Sequence, residues 1–256
     1  MNIVIFGSGN VATIFGLSIR NAGHTILEVF SRNIEHAQIL AAKLGAKVQR
    51  SINSITKNAD IYIIAVSDDA ITNIANSLNL KNKIVIHTSG ATSKNILERT
   101  SDLYGVIYPL QSLRKETRCI PQIPLLIDGN TPSVIKSIKA FAETISERVD
   151  HADDEERIKI HVSAVFVSNF TNHLYALAAD YCKKEGSDFS LLIPLINEVA
   201  NRVANYDPKT VQTGPAVRYD VITIQKHLEL LSPYPQLQKI YRMLTASIQQ
   251  FQEARN

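Results

Sequence analysis

A glycine-rich turn near the start of the chain has the spacing that dinucleotide phosphates need. Residues 7–12 match GxGxxA and directly follow a short apolar run at residues 3–6. The first glycine of this pattern permits a tight turn, the second lets a pyrophosphate approach bare backbone, and the alanine permits close helix–strand packing. The phosphates then bind N–H groups at the helix N-terminus. We expect cofactor contacts from Gly7, Ser8, Gly9, Asn10 and Val11, and a strand–helix turn without a ligand is the alternative.

The end of the second apolar run discriminates between the dinucleotides. Proteins that bind NAD usually carry Asp or Glu there, about 20 residues further on, to bind the ribose 2′-hydroxyl. This chain has Ser31, Arg32 and Asn33 instead. A guanidinium can pair with a 2′-phosphate and stack on adenine, and the polar neighbours can hydrogen-bond the phosphate. The sequence therefore predicts NADP as the cofactor. Glu28 supports a competing interpretation, because NAD- and FAD-binding folds use a glutamate near this spacing.

Two further apolar runs are each followed by a polar residue. Val66 and Ser67 end the run that starts at residue 61, and His87 follows the run at 84–86. Ligands of a doubly wound sheet bind beyond the carboxyl ends of its strands. We therefore expect Val66 and Ser67 to contact the cofactor, Ser67 through a ribose. His87 is a candidate proton donor to a substrate. A strand-end histidine that is hydrogen-bonded to backbone is the alternative.

A polar stripe interrupts an apolar helical pattern in the second half of the chain. His161, Val165, Asn169 and His173 follow one another at intervals of four residues. Burial penalises such polar groups unless each finds a partner. We expect Asn169 and His173 to orient a substrate opposite His87, across a cleft between two domains. Polar groups satisfied inside a helical core or a dimer interface are the alternative.

The pattern of apolar runs predicts the elements that position these residues. Over residues 1–150 short apolar runs alternate with helical patterns, which is typical of an α/β fold with a doubly wound, mostly parallel Rossmann-type sheet. From residue 151 onward we expect only helices, near residues 153–186, 187–205, 218–231 and 235–254. The chain is therefore predicted to contain a dinucleotide-binding domain, 1–150, and an all-α domain, 151–256. The helical domain is expected to bind substrate and to form a homodimer.

Composition restricts the classes of function. The 256 residues include 27 Lys and Arg against 24 Asp and Glu, a net charge of +3 without the clustering expected of a nucleic-acid-binding protein. No apolar run approaches the roughly 18 residues of a membrane span. The chain contains two cysteines without a CxxC pair, and it lacks a signal-peptide pattern. These features predict a cytoplasmic location. No spacing of histidines and cysteines indicates a metal site.

Several motifs resemble known families. The N-terminal half is similar to pyrroline-5-carboxylate reductases and to the β-hydroxyacid and 6-phosphogluconate dehydrogenases, through residues 7–12, 23–24, 31–33 and 59–68. Nearly the whole chain resembles a family of oxidoreductases in which a Rossmann-like domain precedes a helical domain of unknown function. That resemblance rests on residues 87–91, 108–111, 161–173 and 213–220. It implies an NADP-dependent oxidoreductase and identifies no substrate.

One departure from these relatives limits the reaction. β-Hydroxyacid dehydrogenases carry a catalytic lysine four residues before an asparagine of the second domain, whereas Val165 stands four residues before Asn169. Two hypotheses follow. The first is an NADPH-dependent reductase of a small carbonyl or imine compound, and the second is a catalytically inactive NADP-binding sensor or scaffold. Arg218 and Asp220 could bind an anionic substrate or form a structural pair.

Overall fold

The computed structural model describes residues 1–117 and 119–254. The chain divides into two compact units, Met1–Asn169 and Phe170–Asn256.

The first unit is built on one eight-stranded sheet. Its strands are β1 (Asn2–Phe6), β2 (Thr25–Phe30), β3 (Lys47–Gln49), β4 (Ile61–Ile64), β5 (Ile84–His87), β6 (Leu103–Pro109), β7 (Leu125–Gly129) and β8 (Val149–His151). Their spatial order is β3-β2-β1-β4-β5-β6-β7-β8, and all neighbours from β3 to β6 are parallel. Strand β7 runs antiparallel to β6 and parallel to β8. The order reverses direction between β1 and β4, so the predicted doubly wound, mostly parallel sheet is confirmed.

The central strands are apolar without interruption because both faces of the sheet are covered. Ile3 and Ile5 of β1 belong to one hydrophobic cluster, and Val4 and Phe6 belong to a second. Helices flank the sheet: α1 (Asn10–Asn21), α2 (Ile34–Leu44), α3 (Asp68–Ser77) and α4 (Pro132–Ala142). Residues that alternate along a strand point to opposite faces, so a strand buried on both faces reads as a continuous apolar run.

Two short strands at the edges of the sheet differ from the sequence expectation. Strand β3 has three residues and was not predicted, and β8 extends to His151, where only helix was expected. Both pair with a single neighbour. A three-residue edge strand with polar residues carries too little hydrophobic pattern to be recognised, and its pairing partner defines it.

The helix that follows β8 is interrupted. Helix α5 (Asp154–Ala164) begins after Asp153, whose side chain accepts a 2.8 Å hydrogen bond from the N–H of Glu156. A π-helical segment, Val165–Phe170, follows before α6 (Thr171–Lys184). The sequence predicted a single helix over 153–186. A π-helical turn holds more residues than an α-helical turn, so a spacing of four residues does not keep side chains in one stripe across this segment.

The second unit is helical and buries few apolar side chains. It contains α6, α7 (Ile193–Asn205), α8 (Val221–Leu230) and α9 (Pro235–Glu253). Among its described residues, the buried hydrophobic side chains are Ala216, Leu228 and Leu231. Large apolar side chains of α7 and α9 are exposed, including Leu195, Val199, Val203, Met243 and Phe251. None of the helices in the described part of the chain is long and apolar enough to cross a membrane.

Candidate active site

A cavity of about 490 Å³, here the glycine-loop cavity, lies at the carboxyl ends of β1, β2 and β4. Three connections form its wall: the turn between β1 and α1, the residues after β2, and the residues after β4. All ten residues predicted to contact the cofactor line it: Gly7, Ser8, Gly9, Asn10, Val11, Ser31, Arg32, Asn33, Val66 and Ser67. The parallel sheet brings these residues together because it places the three strand ends at one edge.

The two glycines of the loop do different things. Gly7 has φ +123°, and a Cβ atom there would lie 2.0 Å from the carbonyl oxygen of Ala65. Its N–H donates a 2.7 Å hydrogen bond to the oxygen of Phe30. Gly9 precedes α1, and a Cβ atom there would meet no atom within 4 Å. Gly7 is therefore required by the close approach of two strand ends, whereas Gly9 leaves open space beside the helix N-terminus. That space fits a pyrophosphate group.

The loop after β2 forms the other end of the cavity. The Ser8 hydroxyl donates a 2.8 Å hydrogen bond to the Ser31 hydroxyl, which joins this loop to the glycine turn. Asn33 caps α2, since its side-chain oxygen accepts from the N–H of His36 at 2.9 Å. Arg32 is exposed and has no hydrogen bond or ion pair within the described residues. His36 lines the cavity as well, a contact that the sequence reasoning missed.

Glu28 is occupied within the protein. It is buried in β2, where Oε1 accepts from Nε2 of Gln49 at 2.6 Å and Oε2 accepts from the N–H of Thr56 at 2.9 Å. It does not line the glycine-loop cavity. A carboxylate held in this way is not available to a ribose hydroxyl, so the NAD or FAD interpretation based on Glu28 is wrong.

A second cavity of about 470 Å³, here the Tyr108 cavity, lies in the same unit and shares Val11 with the glycine-loop cavity. It is lined by Thr88 after β5, by the end of β6 and the residues that follow it, by α5, and by most of the π-helical segment. Asn169, predicted to orient a substrate, is among its lining residues. The described residues that line it include no Asp, Glu, Lys or Arg.

A tyrosine–histidine pair forms one wall of the Tyr108 cavity. The Tyr108 hydroxyl lies 2.8 Å from Nδ1 of His161, and the two rings meet edge to face with centroids 5.6 Å apart. Burial raises the pKa of the Tyr108 hydroxyl. A Cβ atom on Gly90 would lie 2.9 Å from both His161 Nδ1 and Tyr108 Cε2. The sequence placed His161 in the polar stripe without giving it a specific role. It gave Tyr108 no role, although the place of Tyr108 at a strand end was a usable signal.

His87 lies at the end of β5, as expected, but it is fully buried and lines neither cavity. Its Nδ1 accepts from the N–H of Ser89 at 3.2 Å, and Nε2 lies 3.3 Å from the carbonyl oxygen of Ser93. Burial, and secondarily the positive charge of Arg157, lower the pKa of His87 to about 4. This position does not support the expected role of proton donor to a substrate. It matches the alternative, a strand-end histidine hydrogen-bonded to backbone.

The remaining polar candidates lie in the second unit. His173 is exposed on α6, and its convergence with Asn169 on a substrate stays a prediction. Asp220 caps α8, accepting from the N–H of Thr223 at 3.0 Å and from its hydroxyl at 2.8 Å. These hydrogen bonds hold the pKa of Asp220 below its usual value. Within the described residues, no three His, Cys, Asp or Glu side chains form a group that could bind a metal ion.

Comparisons with known proteins agree with this architecture. Residues 2–90 match the family model "NADP oxidoreductase coenzyme F420-dependent", and residues 123–248 match "Domain of unknown function (DUF2520)". No significant match was found among curated proteins.

Three solved structures are similar over almost their whole length. A "putative NADP oxidoreductase" of Bacteroides fragilis is 37% identical, with a TM-score of 0.91 over 97% of this chain and 98% of that one. The 1-pyrroline-5-carboxylate reductase of Streptococcus pyogenes is 14% identical, with a TM-score of 0.65 over 98% of each chain. A reductive aminase from Aspergillus terreus, in complex with NADPH and ethyl-5-oxohexanoate, is 15% identical, with a TM-score of 0.73 over 97% and 92%.

These findings confirm the predicted cofactor, NADP, and the predicted resemblance. The identity to the Bacteroides fragilis protein extends across both units. The chain therefore belongs to the family of NADP oxidoreductases in which an NADP oxidoreductase domain precedes a DUF2520 domain.

Proposed function

We propose that this oxidoreductase is an NADPH-dependent reductase of a small carbonyl or imine compound, which binds in the Tyr108 cavity. One observation carries this proposal: the Tyr108 cavity adjoins the glycine-loop cavity at Val11, at the carboxyl ends of neighbouring strands. When bound, NADPH supplies a hydride. A substrate must therefore lie beside the dinucleotide, and the Tyr108 cavity offers a volume suited to a small molecule.

The residues of the glycine-loop cavity are proposed to hold the cofactor by its anionic groups. N–H groups at the start of α1, next to Gly9, bind the pyrophosphate. Arg32 pairs with the 2′-phosphate, and its lack of another partner within the described residues supports this role. Ser67 begins α3 without a side-chain capping hydrogen bond, which leaves its hydroxyl available to a ribose.

The residues of the Tyr108 cavity are proposed to orient and shelter the substrate. Asn169 brings a side-chain amide, and Ser168 brings a hydroxyl, to a wall that is largely apolar. Amide and hydroxyl donors can polarise a carbonyl or imine, while apolar walls exclude water from the reacting bond. The similarity to a reductive aminase and to a pyrroline-5-carboxylate reductase supports this substrate class.

We further propose that the second unit forms a homodimer. Its described residues include three buried hydrophobic side chains, while α7 and α9 expose large apolar ones. Helices that cover so little of their own apolar surface are expected to bury it against a second copy.

Calorimetry and an absorbance assay test the proposed function together. We expect the purified protein to bind NADPH and to consume it when small ketones, or a ketone with an amine, are added. Binding without consumption across such a panel would contradict the reductase function and favour the alternative hypothesis, an inactive NADP-binding sensor or scaffold.

A further inference from the structure

The titratable groups of the Tyr108 cavity form a single hydrogen-bonded pair. Tyr108 and His161 are the lining residues, within the described chain, that carry an ionisable side chain. Their hydroxyl and Nδ1 atoms are 2.8 Å apart. His161 Nε2 has no hydrogen-bond partner within the described residues. The pair therefore holds a proton that either member can present to a ligand in the cavity.

The backbone at residue 90 leaves room for the two rings of this pair. Gly90 lies so close that a Cβ atom would come within 2.9 Å of both rings. The segment that follows Gly90 is tied to α5, the helix that carries His161. Nη2 of Arg157 donates to the carbonyl oxygen of Thr92 at 2.6 Å, and Asp154 accepts from the N–H of Lys94 at 3.2 Å. These contacts fix the helix and the loop that adjoin the pair, so its geometry is preorganised.

The charge of the cavity wall restricts the substrate. No Asp, Glu, Lys or Arg is found among the described residues that line the cavity. A buried carboxylate without a cationic partner is strongly penalised, whereas a carbonyl or imine needs only hydrogen-bond donors. The same wall contains no carboxylic acid, and burial raises the pKa of Tyr108, so this hydroxyl keeps its proton at neutral pH.

We propose that Tyr108 and His161 together donate the proton to an uncharged carbonyl or imine compound bound in the Tyr108 cavity. This inference rests on the proposed reductase function. The carbonyl or imine carbon gains the hydride of NADPH, the π-electron pair forms a new bond from oxygen or nitrogen to the proton of the pair, and water returns a proton to the pair. The substrate becomes an alcohol or an amine, and NADPH becomes NADP⁺.

Tyr108→Phe tests the pair, with Tyr104→Phe as the matched control on the same strand and outside both cavities. Cyclohexanone and cyclohexanecarboxylate are the uncharged and anionic probes. In the NADP⁺ complex, where no hydride is available, calorimetry measures ketone binding alone. We expect Tyr108→Phe to weaken cyclohexanone binding about fivefold. We also expect it to lower kcat with NADPH about 100-fold. Dinucleotide affinity should be unchanged, and Tyr104→Phe should match wild type.

A spectroscopic readout keeps the test independent of turnover. Because Tyr108→Phe removes the partner of His161 Nδ1, the ¹⁵N resonance of that atom should shift, and Tyr104→Phe should leave it in place. If turnover and ketone binding survive Tyr108→Phe, the proposed role of the pair as proton donor is overturned and the reductase function is not. A wild-type protein that binds cyclohexanone but consumes no NADPH would overturn the reductase function as well. Tighter binding of cyclohexanecarboxylate than of cyclohexanone would overturn the inference of an uncharged substrate.

Discussion

Acidification should destabilise this protein through one buried side chain, His87. Nδ1 of His87 accepts from Ser89, so neutral His87 carries its proton on Nε2, which lies 3.3 Å from the Ser93 oxygen. A second proton on Nδ1 would break the hydrogen bond with Ser89 and place a charge in a fully buried site. Burial is the main reason that the pKa of His87 falls from its ordinary 6.5 to about 4, and the charge of Arg157 adds to it.

The size and sign of the effect follow from that depressed pKa. Between pH 6.5 and about 4 the unfolded chain binds a proton at His87 that the folded chain does not bind. The stability that His87 contributes is therefore present above pH 6.5 and is lost as the pH falls toward 4. The gap between the two pKa values corresponds to about 3 kcal/mol of unfolding free energy.

Urea unfolding of wild type and His87→Gln at pH 7 and pH 4 measures this contribution. Glutamine keeps an N–H donor but does not titrate, so the variant should lose about 3 kcal/mol less than wild type over this interval. Groups that titrate elsewhere in the chain affect both proteins equally and cancel in the comparison. His36→Gln is the control, because His36 is exposed and should leave the pH dependence unchanged. Parallel pH profiles for wild type and His87→Gln would refute the reasoning, since His87 would then accept a proton freely in the folded state.

Three further predictions concern the cofactor and the assembly. Arg32→Ala should lower the affinity for NADP about tenfold or more, because one charge-assisted phosphate contact is lost, and it should leave the affinity for NAD unchanged. Calorimetry that shows equal affinities of the native protein for both nucleotides would contradict this prediction. Gly9→Val should abolish dinucleotide binding without changing the melting temperature, since a Cβ atom at residue 9 meets open space. Gly7→Ala should lower the melting temperature, because its Cβ atom would lie 2.0 Å from the Ala65 oxygen. Normal NADP binding by Gly9→Val would show that the loop is a structural turn without a role in dinucleotide binding. Light scattering should find two copies per particle for wild type and one for Leu195→Asp, which places a charge on an exposed apolar helix face. A monomeric wild type would contradict the proposed dimer.

Local sequence was sufficient for the sheet and for the residues that line the glycine-loop cavity. The residues after β1, β2 and β4 were predicted to lie together, and all ten of them line the glycine-loop cavity. This worked because parallel strands buried on both faces produce continuous apolar runs, and because the carboxyl ends of such strands share one edge. The glycine turn and residues 31–33 can be recognised by backbone shape and charge, which are properties of a few consecutive residues.

Glu28 and His87 are residues for which the local sequence left two interpretations open. Both lie in or at the end of a strand, where a polar residue could serve a ligand, and both are instead held by protein groups. The partners of Glu28 come from Gln49 and Thr56, which are distant in sequence. No local pattern reveals whether a strand-end side chain points into a cavity or under a loop, because the fold of the following segment decides it.

The α/β class, the glycine turn and the residues that line the glycine-loop cavity could be predicted from the sequence, since each depends on short-range periodicity or on a compact motif. The contact between Tyr108 and His161, by contrast, arises only in the folded chain. Tyr108 and His161 are 53 residues apart, and their contact depends on β6 lying inside the sheet, on α5 returning to it after β8, and on a glycine at residue 90. A hydrogen bond between two such residues is a property of packing at long range, which neither strand periodicity nor helical spacing reveals.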